Sequence, residues 1–167
     1  LKTPHLTLRE STVSDVEDFY RIYQDPSITK YMERLFPDRD EERSYMKDYI
    51  QKIYGFYGFG LWSVIHTVTG TVIGRAGLSV REGYEIPELG FVTEVAFQHQ
   101  GYTYEICEAI LRYARDELEF PQVQAFCHPE NTASLHLLQK LGFSYAGEDL
   151  LQGIPHARYI VSLPKSC

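Results

Sequence analysis

The sequence contains no apolar run that approaches the roughly 20 residues needed to cross a bilayer, so no membrane partner is expected. Residues 1–9 have no basic head followed by an apolar stretch, which predicts no secretory signal. Lys and Arg number 16 against 23 Asp and Glu, the formal net charge is −7, and basic residues do not cluster. Because a nucleic-acid partner requires a basic surface to neutralise phosphates, none is expected.

Cysteine is also scarce. The three cysteines are Cys107, Cys127 and Cys167. Their odd number and the lack of any CxxC spacing predict reduced thiols in a cytoplasmic protein, with Cys107 in the core and Cys127 buried or half-buried. The histidines show no metal-ligand spacing, so we expect no metal site.

The chain has 167 residues, of which 44% are apolar and 23% charged. That length and balance predict one domain over residues 1–167, with a core large enough to need no disulfide or metal. Ser14 followed by Glu17 matches a capping box and predicts the start of a helix that ends at Asp25–Pro26.

The remaining elements follow from apolar periodicity and turn residues. Strands are expected at 6–9, 60–65, 71–78, 88–95, 123–127, 143–150 and 157–163, and further helices at 41–54, 101–119 and 131–141. Three strands in a meander, placed between helical segments and followed by a closing strand pair, predict an α+β fold rather than a regular βαβ alternation.

Segment 97–105 lies between a predicted strand and a long helix. Gly101 at that turn allows backbone N–H groups to converge without an obstructing side chain. These groups, together with the positive end of the helix dipole, favour a pyrophosphate site, to which the hydroxyls of Thr103 and Tyr104 add donors. The alternative is a helix start that is merely capped.

Three segments at characteristic spacing support the first interpretation: ELGF at 88–91, QHQGYT at 98–103, and HPENTAS at 128–134 followed by KLGF at 140–143. Together they resemble the GNAT superfamily of N-acetyltransferases, most closely its ribosomal-protein N-terminal acetyltransferase branch. The resemblance implies α/β/α layers around a central, mixed and mostly antiparallel sheet of about seven strands, splayed at a CoA cleft.

The resemblance also implies a set of coenzyme-binding residues. Residues 98–103 match the family's phosphate loop, whose backbone N–H groups would hold the pyrophosphate of CoA. At its last position this sequence has Thr103 where the family has Gly or Ala. The strand backbone before the loop would bind the pantetheine arm, and Asn131 matches an asparagine that touches the pantetheine or phosphate region, although it would also serve as a helix N-cap. The implied residues are Thr93, Val95, Gln98, His99, Gln100, Gly101, Thr103, Tyr104 and Asn131.

Acetyl transfer needs a neutral amine, whereas a lysine-type amine has a pKa of about 10.4. Glu88 matches a position where some family members place a general base, and the alternative is a rim charge that attracts a cationic substrate.

Ser134 matches a serine that hydrogen-bonds the coenzyme sulfur, and the alternative is a solvent-facing helix residue. Where many members carry a tyrosine as general acid, this sequence has Leu138. Tyr145 is expected to pack in the sheet.

Aromatic residues are frequent, with 13 Tyr, and the Gly/aromatic segment 54–59 is expected to form either an acceptor-pocket wall or a lid over the core. Tyr31, Phe36 and Tyr84 are further candidates for lining that pocket.

The resemblance implies that acetyl-CoA is a co-substrate and that its acetyl group passes directly to a primary amine, either a protein N-terminus or a small amine. It is also compatible with a homodimer. The alternative is a CoA- or acyl-CoA-binding module of the same fold without turnover, which Leu138 and the departure at Thr103 suggest.

Overall fold

A computed structural model describes residues 1–165, so Cys167 lies outside the described residues. Over these residues the strands are β1 Leu6–Arg9, β2 Leu61–His66, β3 Thr71–Ser79, β4 Glu88–Thr93, β5 Gln122–Cys127, β6 Ser144–Leu151 and β7 Ile154–Ser162. The α-helices are α1 Val16–Tyr23, α2 Pro26–Thr29, α3 Arg39–Tyr49, α4 Gly55–Tyr57, α5 Tyr102–Asp116 and α6 Thr132–Lys140, and a π-helical turn, Ile50–Tyr54, joins α3 to α4.

The strands of the described chain form one seven-stranded sheet in the order β1-β2-β3-β4-β5-β7-β6. Neighbouring strands are antiparallel except β4 and β5, which are parallel. The predicted strands and long helices are all present, and most of their ends lie within three residues of the expected positions, as is usual at element ends. The helix expected at 41–54 is divided into α3 and the π-helical turn. The α+β prediction is confirmed.

Helices cover both faces of this sheet. On one face, α1 and α3 bury a cluster against β3 and β4 that comprises Val16, Phe19, Ile22, Met46, Val72 and Val92. On the other face, α5 and α6 bury Ile106, Ile110, Ala114 and Leu138 against strand residues such as Val123 and Ala125. Each large side chain buried in this way contributes about 1.5–3 kcal/mol relative to exposure. The layers are therefore α/β/α, as expected.

The start of the first helix differs from the prediction. The carboxylate of Asp15, rather than that of Glu17, accepts a hydrogen bond from the N–H of Thr12, at 2.9 Å, and a 3₁₀ turn Val13–Asp15 precedes α1. Arg9 binds both oxygens of Asp15, at 2.6 and 2.8 Å. Burial raises the pKa of Asp15, but hydrogen bonds from Arg9 and Thr12 outweigh it and leave that pKa below its usual value. The capping box predicted at Ser14 and Glu17 is wrong because buried Asp15 is fixed at the helix start by its ion pair with Arg9 and its bond to the Thr12 N–H.

The pairing of β4 with β5 determines where a ligand can enter the sheet. Over the described residues the two strands pair at one position, Glu88 with Gln124, where the N–H of Gln124 donates to the carbonyl of Pro87 at 2.9 Å. Beyond this pair the strands separate, and they lead into α5 and α6 respectively. Because the carboxyl ends of parallel strands lie at the same edge of a sheet, both helices begin at the open end of this gap. Within residues 1–165, no helix is both long and apolar enough to cross a membrane.

Candidate active site

The edge of β4 that faces the gap carries backbone groups available for a ligand. The carbonyl of Pro87 points toward β5, whereas the N–H of Glu94 donates to Ile73 of β3 at 2.7 Å. Since alternate residues of a strand direct their backbone groups to opposite sides, Phe91 and Thr93 face the gap beyond the last β4–β5 pair. Phe91 was not among the predicted residues, although its two-residue spacing from Thr93 places it on the same edge.

The expected extension of β4 to Val95 is wrong. The strand ends at Thr93, and Val95–Phe97 form a 3₁₀ turn in which the carbonyl of Val95 accepts the N–H of Gln98 at 3.1 Å. The side chain of Glu94 also binds Arg21 of α1, at 3.3 Å, and so anchors the turn. The Val95 carbonyl is engaged in the turn, and the Thr93 carbonyl accepts the side-chain amide of Gln98 at 2.8 Å, so hydrogen bonds from either residue to a coenzyme would come from their N–H groups.

The loop between this turn and α5 has a backbone suited to an anion. His99 and Gly101 both adopt the left-handed conformation, with φ of 62° and 81°. A Cβ built on Gly101 would meet no atom of the described chain within 4 Å, so the space in front of the first turn of α5 is open. No side chain among residues 1–165 caps that helix. Its first N–H groups therefore remain free for a negatively charged group.

Side chains of the same loop tie it to β4. The Nε2 of Gln98 donates to the carbonyl of Thr93 at 2.8 Å, and the hydroxyls of Thr93 and Thr103 lie 2.7 Å apart. Thr103 therefore presents its backbone N–H in the first turn of α5, as Gly or Ala would, and its hydroxyl also contacts Thr93, the last residue of β4. Gln100 reaches back to the carbonyl of Ala96 at 3.3 Å.

The Tyr104 side chain does not point into the loop. Hydrogen bonding to Glu108, one turn further along α5, raises the pKa of the Tyr104 hydroxyl, and the Lys140 ammonium lies 4.4 Å from the centre of its ring. The Tyr104 ring therefore lies beside Lys140 of α6, and its backbone N–H lies in the first turn of α5.

The second side of the gap is formed by the start of α6. The Oδ1 of Asn131 accepts the N–H of Ser134 at 3.3 Å, so Asn131 is the N-cap of this helix. Ser134 is half-buried, and its hydroxyl has no hydrogen-bond partner in the described part of the chain. Leu138 is 1% exposed and packs in the core, so it supplies no proton donor to the gap.

A cavity of about 780 Å³ lies at the narrow end of the gap. Glu88 both lines this cavity and forms the pair that joins β4 to β5. The aromatic side chains in its wall are those of Tyr45, Tyr49, Tyr57, Phe59 and Tyr84. Segment 54–59 thus contributes to the cavity wall, while Tyr54 and Phe59 are also buried in the core.

Two of the other aromatic candidates lie elsewhere. Tyr31 packs on His128, with ring centres 5.1 Å apart, and Phe36 packs on Tyr45 at 5.9 Å. Neither is among the residues that line the cavity. Tyr145 lies on β6 as expected and its ring packs edge-to-face on that of its β7 partner Tyr159, with ring centres 5.8 Å apart, while 61% of the residue remains exposed.

Glu88 is held by an arginine that the sequence analysis did not single out. The guanidinium of Arg81 donates to both carboxylate oxygens of Glu88, at 2.6 and 3.0 Å, and the Glu88 side chain is 15% exposed. The same guanidinium stacks over Phe126 of β5, 5.1 Å from the ring centre. Hydrogen bonding to Glu88 raises the pKa of Arg81. A bidentate pair of this kind fixes the orientation of the carboxylate at the junction of the two strands.

The cysteines lie outside this chemistry. Cys107 and Cys127 are both buried free thiols, as predicted, and burial raises the pKa of each. Among residues 1–165, no group of three or more His, Cys, Asp or Glu side chains is arranged to hold a metal ion.

A family model described as the acetyltransferase (GNAT) domain matches residues 5–144. The chain is 29% identical over 151 residues to the uncharacterised N-acetyltransferase p20 of Bacillus licheniformis, covering 88% of this chain and 83% of that protein. The ribosomal-protein-S5-alanine acetyltransferase of Vibrio fischeri has a similar fold, with a TM-score of 0.81 and 14% identity over 98% of this chain and 96% of that one. A spermidine N-acetyltransferase, a chimera of SpeG from Vibrio cholerae and hSSAT, matches with a TM-score of 0.78 and 18% identity over 95% and 96%. The chain therefore belongs to the GNAT family of acetyltransferases and is an acetyl-CoA-dependent acyltransferase.

Proposed function

We propose that this protein transfers the acetyl group of acetyl-CoA directly to the primary amine of a small cationic molecule bound in the cavity beside Glu88. The observation that supports this most strongly is the position of Glu88, which belongs both to the cavity wall and to the pair where β4 and β5 separate. A thioester held in the gap and an amine held in the cavity would meet at this point, where proximity alone favours reaction.

The coenzyme would be held mainly by backbone groups. The first N–H groups of α5, beyond Gly101, are proposed to bind the pyrophosphate, with His99 and Gly101 setting the loop conformation. Phe91 and Thr93 are proposed to hydrogen-bond the pantetheine arm as an added strand would. The side chains of Gln98 and Thr103 support this arrangement by fixing the loop to β4. Asn131 is proposed to border the opposite side of the gap.

A small amine fits this cavity. Its volume of about 780 Å³ falls within the roughly 300–1,000 Å³ typical of small-molecule sites. The fold itself is neutral between a small amine and a protein N-terminus, since proteins named for either kind of acceptor share it.

In the proposed reaction the amine nitrogen attacks the thioester carbonyl, a C–N bond forms, the C–S bond breaks, and the proton that the amine loses passes to water or to the departing CoA thiolate. No covalent enzyme intermediate is involved. Backbone N–H groups on the free edge of β4 would polarise the carbonyl oxygen. The hydroxyl of Ser134, which is free within the described chain, is proposed to donate a hydrogen bond to the departing thiolate. It would take the role of the tyrosine that many family members carry at the position of Leu138.

Two roles were open for Glu88, and its contact with Arg81 supports one of them. Because both carboxylate oxygens accept hydrogen bonds from the Arg81 guanidinium, the carboxylate is held in one orientation by a cationic partner. We therefore propose that Glu88, fixed by Arg81, orients the acceptor amine through a charge-assisted hydrogen bond, and that the neutral amine fraction is the species that reacts.

Release of the CoA thiol from acetyl-CoA in the presence of a panel of primary amines tests this function. Amine-dependent release, with N-acetylated product identified by mass spectrometry, is the expected result. Calorimetric binding of acetyl-CoA without release from any amine would contradict the proposal and favour a coenzyme-binding module.

A further inference from the structure

The charges lining the cavity do not balance. Four carboxylates, those of Glu33, Glu82, Glu88 and Asp149, line it together with one guanidinium, that of Arg81. Arg81 is bound to Glu88 through both carboxylate oxygens. Among the lining residues, all of which lie in the described part of the chain, three carboxylates therefore remain without a cationic partner. These three attract positive charge beyond that of a single reacting amine.

Two of the unpaired carboxylates keep an oxygen available for a ligand. Asp149 uses its Oδ1 to accept the N–H of Leu150 at 2.8 Å, which leaves Oδ2 available. Glu33 accepts the side-chain amide N–H of Gln152 and keeps its second oxygen. Carboxylates only accept, so a ligand that hydrogen-bonds to these oxygens must bring donors. A peptide backbone brings as many acceptors as donors, whereas an amine without carbonyl groups brings donors alone.

The aromatic side chains of the cavity wall suit the methylene chain that joins the amino groups of a diamine or polyamine. Five aromatic rings line the cavity, from Tyr45, Tyr49, Tyr57, Phe59 and Tyr84. Methylene groups bury apolar area against rings of this kind, and ammonium groups are attracted to the ring faces.

We propose that the acceptor is an aliphatic diamine or polyamine, and that Asp149 binds its distal ammonium while its reacting amine lies beside Glu88. Asp149 is half-buried in the wall, whereas Glu33 and Glu82 are exposed at the rim and draw the cation inward. The hydrogen bond to Glu88 raises the pKa of Arg81 most, and the charges of Glu33 and Asp149 raise it further. Glu33, Glu88 and Asp149 therefore all lie close enough to Arg81 to interact with its charge. This inference rests on the proposed function, since it names the substrate class of the same site.

The strand β6 provides a matched control. Asp149 pairs with His156 and its neighbour Glu148 pairs with Ala157, so the two carboxylates lie on opposite faces of β6. Glu148 is exposed and does not line the cavity. Asp149→Asn and Glu148→Gln therefore remove the same charge at adjacent positions, and only the first changes the proposed subsite.

The test compares kcat/KM for butylamine with diaminobutane and for hexylamine with diaminohexane. We expect the wild-type protein to prefer the diamine of at least one pair by about tenfold or more, as one charge-assisted contact allows. Asp149→Asn should abolish most of that preference, and Glu148→Gln should retain it. Equal rates with monoamines and diamines, or a preference unchanged by Asp149→Asn, would overturn the inference while leaving acetyl transfer to amines intact.

A binding measurement separates this inference from the proposed function. Tertiary amines have no N–H to lose after attack, so tetramethyl-diaminobutane and dimethylbutylamine act as unreactive probes in calorimetry. Tighter binding of the tertiary diamine, weakened by Asp149→Asn but not by Glu148→Gln, supports the distal subsite even if no amine is acetylated. Equal binding of the two probes would contradict the subsite whatever the transfer assay shows.

Discussion

The loop proposed to bind the coenzyme and the cavity proposed to bind the acceptor are built from different groups. The loop around Gly101 presents backbone N–H groups from one short segment and the first turn of α5. The cavity is lined by side chains from several separate segments, among them α3, the end of β3 and the β6–β7 hairpin. A backbone site tolerates most side-chain changes except at its glycine, whereas a side-chain site changes its specificity with each residue.

Gly101→Val should produce the largest effect and falls on the backbone side of this comparison. The valine side chain would enter the open space in front of α5, and a β-branched residue at φ of 81° is strained by about 1–2 kcal/mol. We expect acetyl-CoA affinity to fall by about 100-fold or more because several hydrogen bonds to charged oxygen are blocked together. Isothermal titration calorimetry measures the affinity, and circular dichroism checks the fold.

Gly58→Val is the matched control for this change. Gly58 has a φ of 76°, and a Cβ there also meets nothing within 4 Å, but it lies between α4 and β2 rather than at the loop. The backbone strain is therefore similar while the coenzyme contact is absent. An equal loss of affinity in both variants would show that strain, and not obstruction of the loop, explains the result.

Glu88→Gln should have an intermediate effect, because Glu88 lies at the β4–β5 pair, between the loop and the rest of the cavity. It removes the charge opposite Arg81, and we expect kcat/KM for the amine to fall by about tenfold with acetyl-CoA affinity unchanged. Because Glu88 is proposed to act electrostatically and not as a base, the ratio of variant to wild-type kcat/KM should not change with pH. A loss that is greatest at low pH would instead identify Glu88 as the general base. Glu85→Gln, an exposed acid outside the cavity lining, is the control.

Thr103→Val should have the smallest effect. It retains the backbone N–H and the approximate shape but loses the 2.7 Å contact with the Thr93 hydroxyl. One neutral hydrogen bond contributes about 0.5–1.5 kcal/mol, so acetyl-CoA affinity should fall by less than about tenfold. A loss as large as that for Gly101→Val would contradict the view that backbone groups dominate at this loop.

The same contrast explains what the sequence predicted. The loop lies within one segment, so Gly101, the helix start and the spacing to Thr93 leave a local pattern. The end of β4 was misplaced at Val95 because the 3₁₀ turn there depends on tertiary contacts of Glu94 with Arg21 and Ile73. The pair of Arg81 with Glu88 and the position of Asp149 depend on strand pairing across distant segments, which no local pattern encodes.

Calorimetric titration of the protein with acetyl-CoA, beside free CoA and desulfo-CoA, tests the central claim most directly. Since backbone groups of the loop and of β4 are proposed to hold the pyrophosphate and pantetheine, all three ligands should bind in the micromolar range, near about −8 kcal/mol. Absence of binding to all three would contradict the proposed coenzyme site.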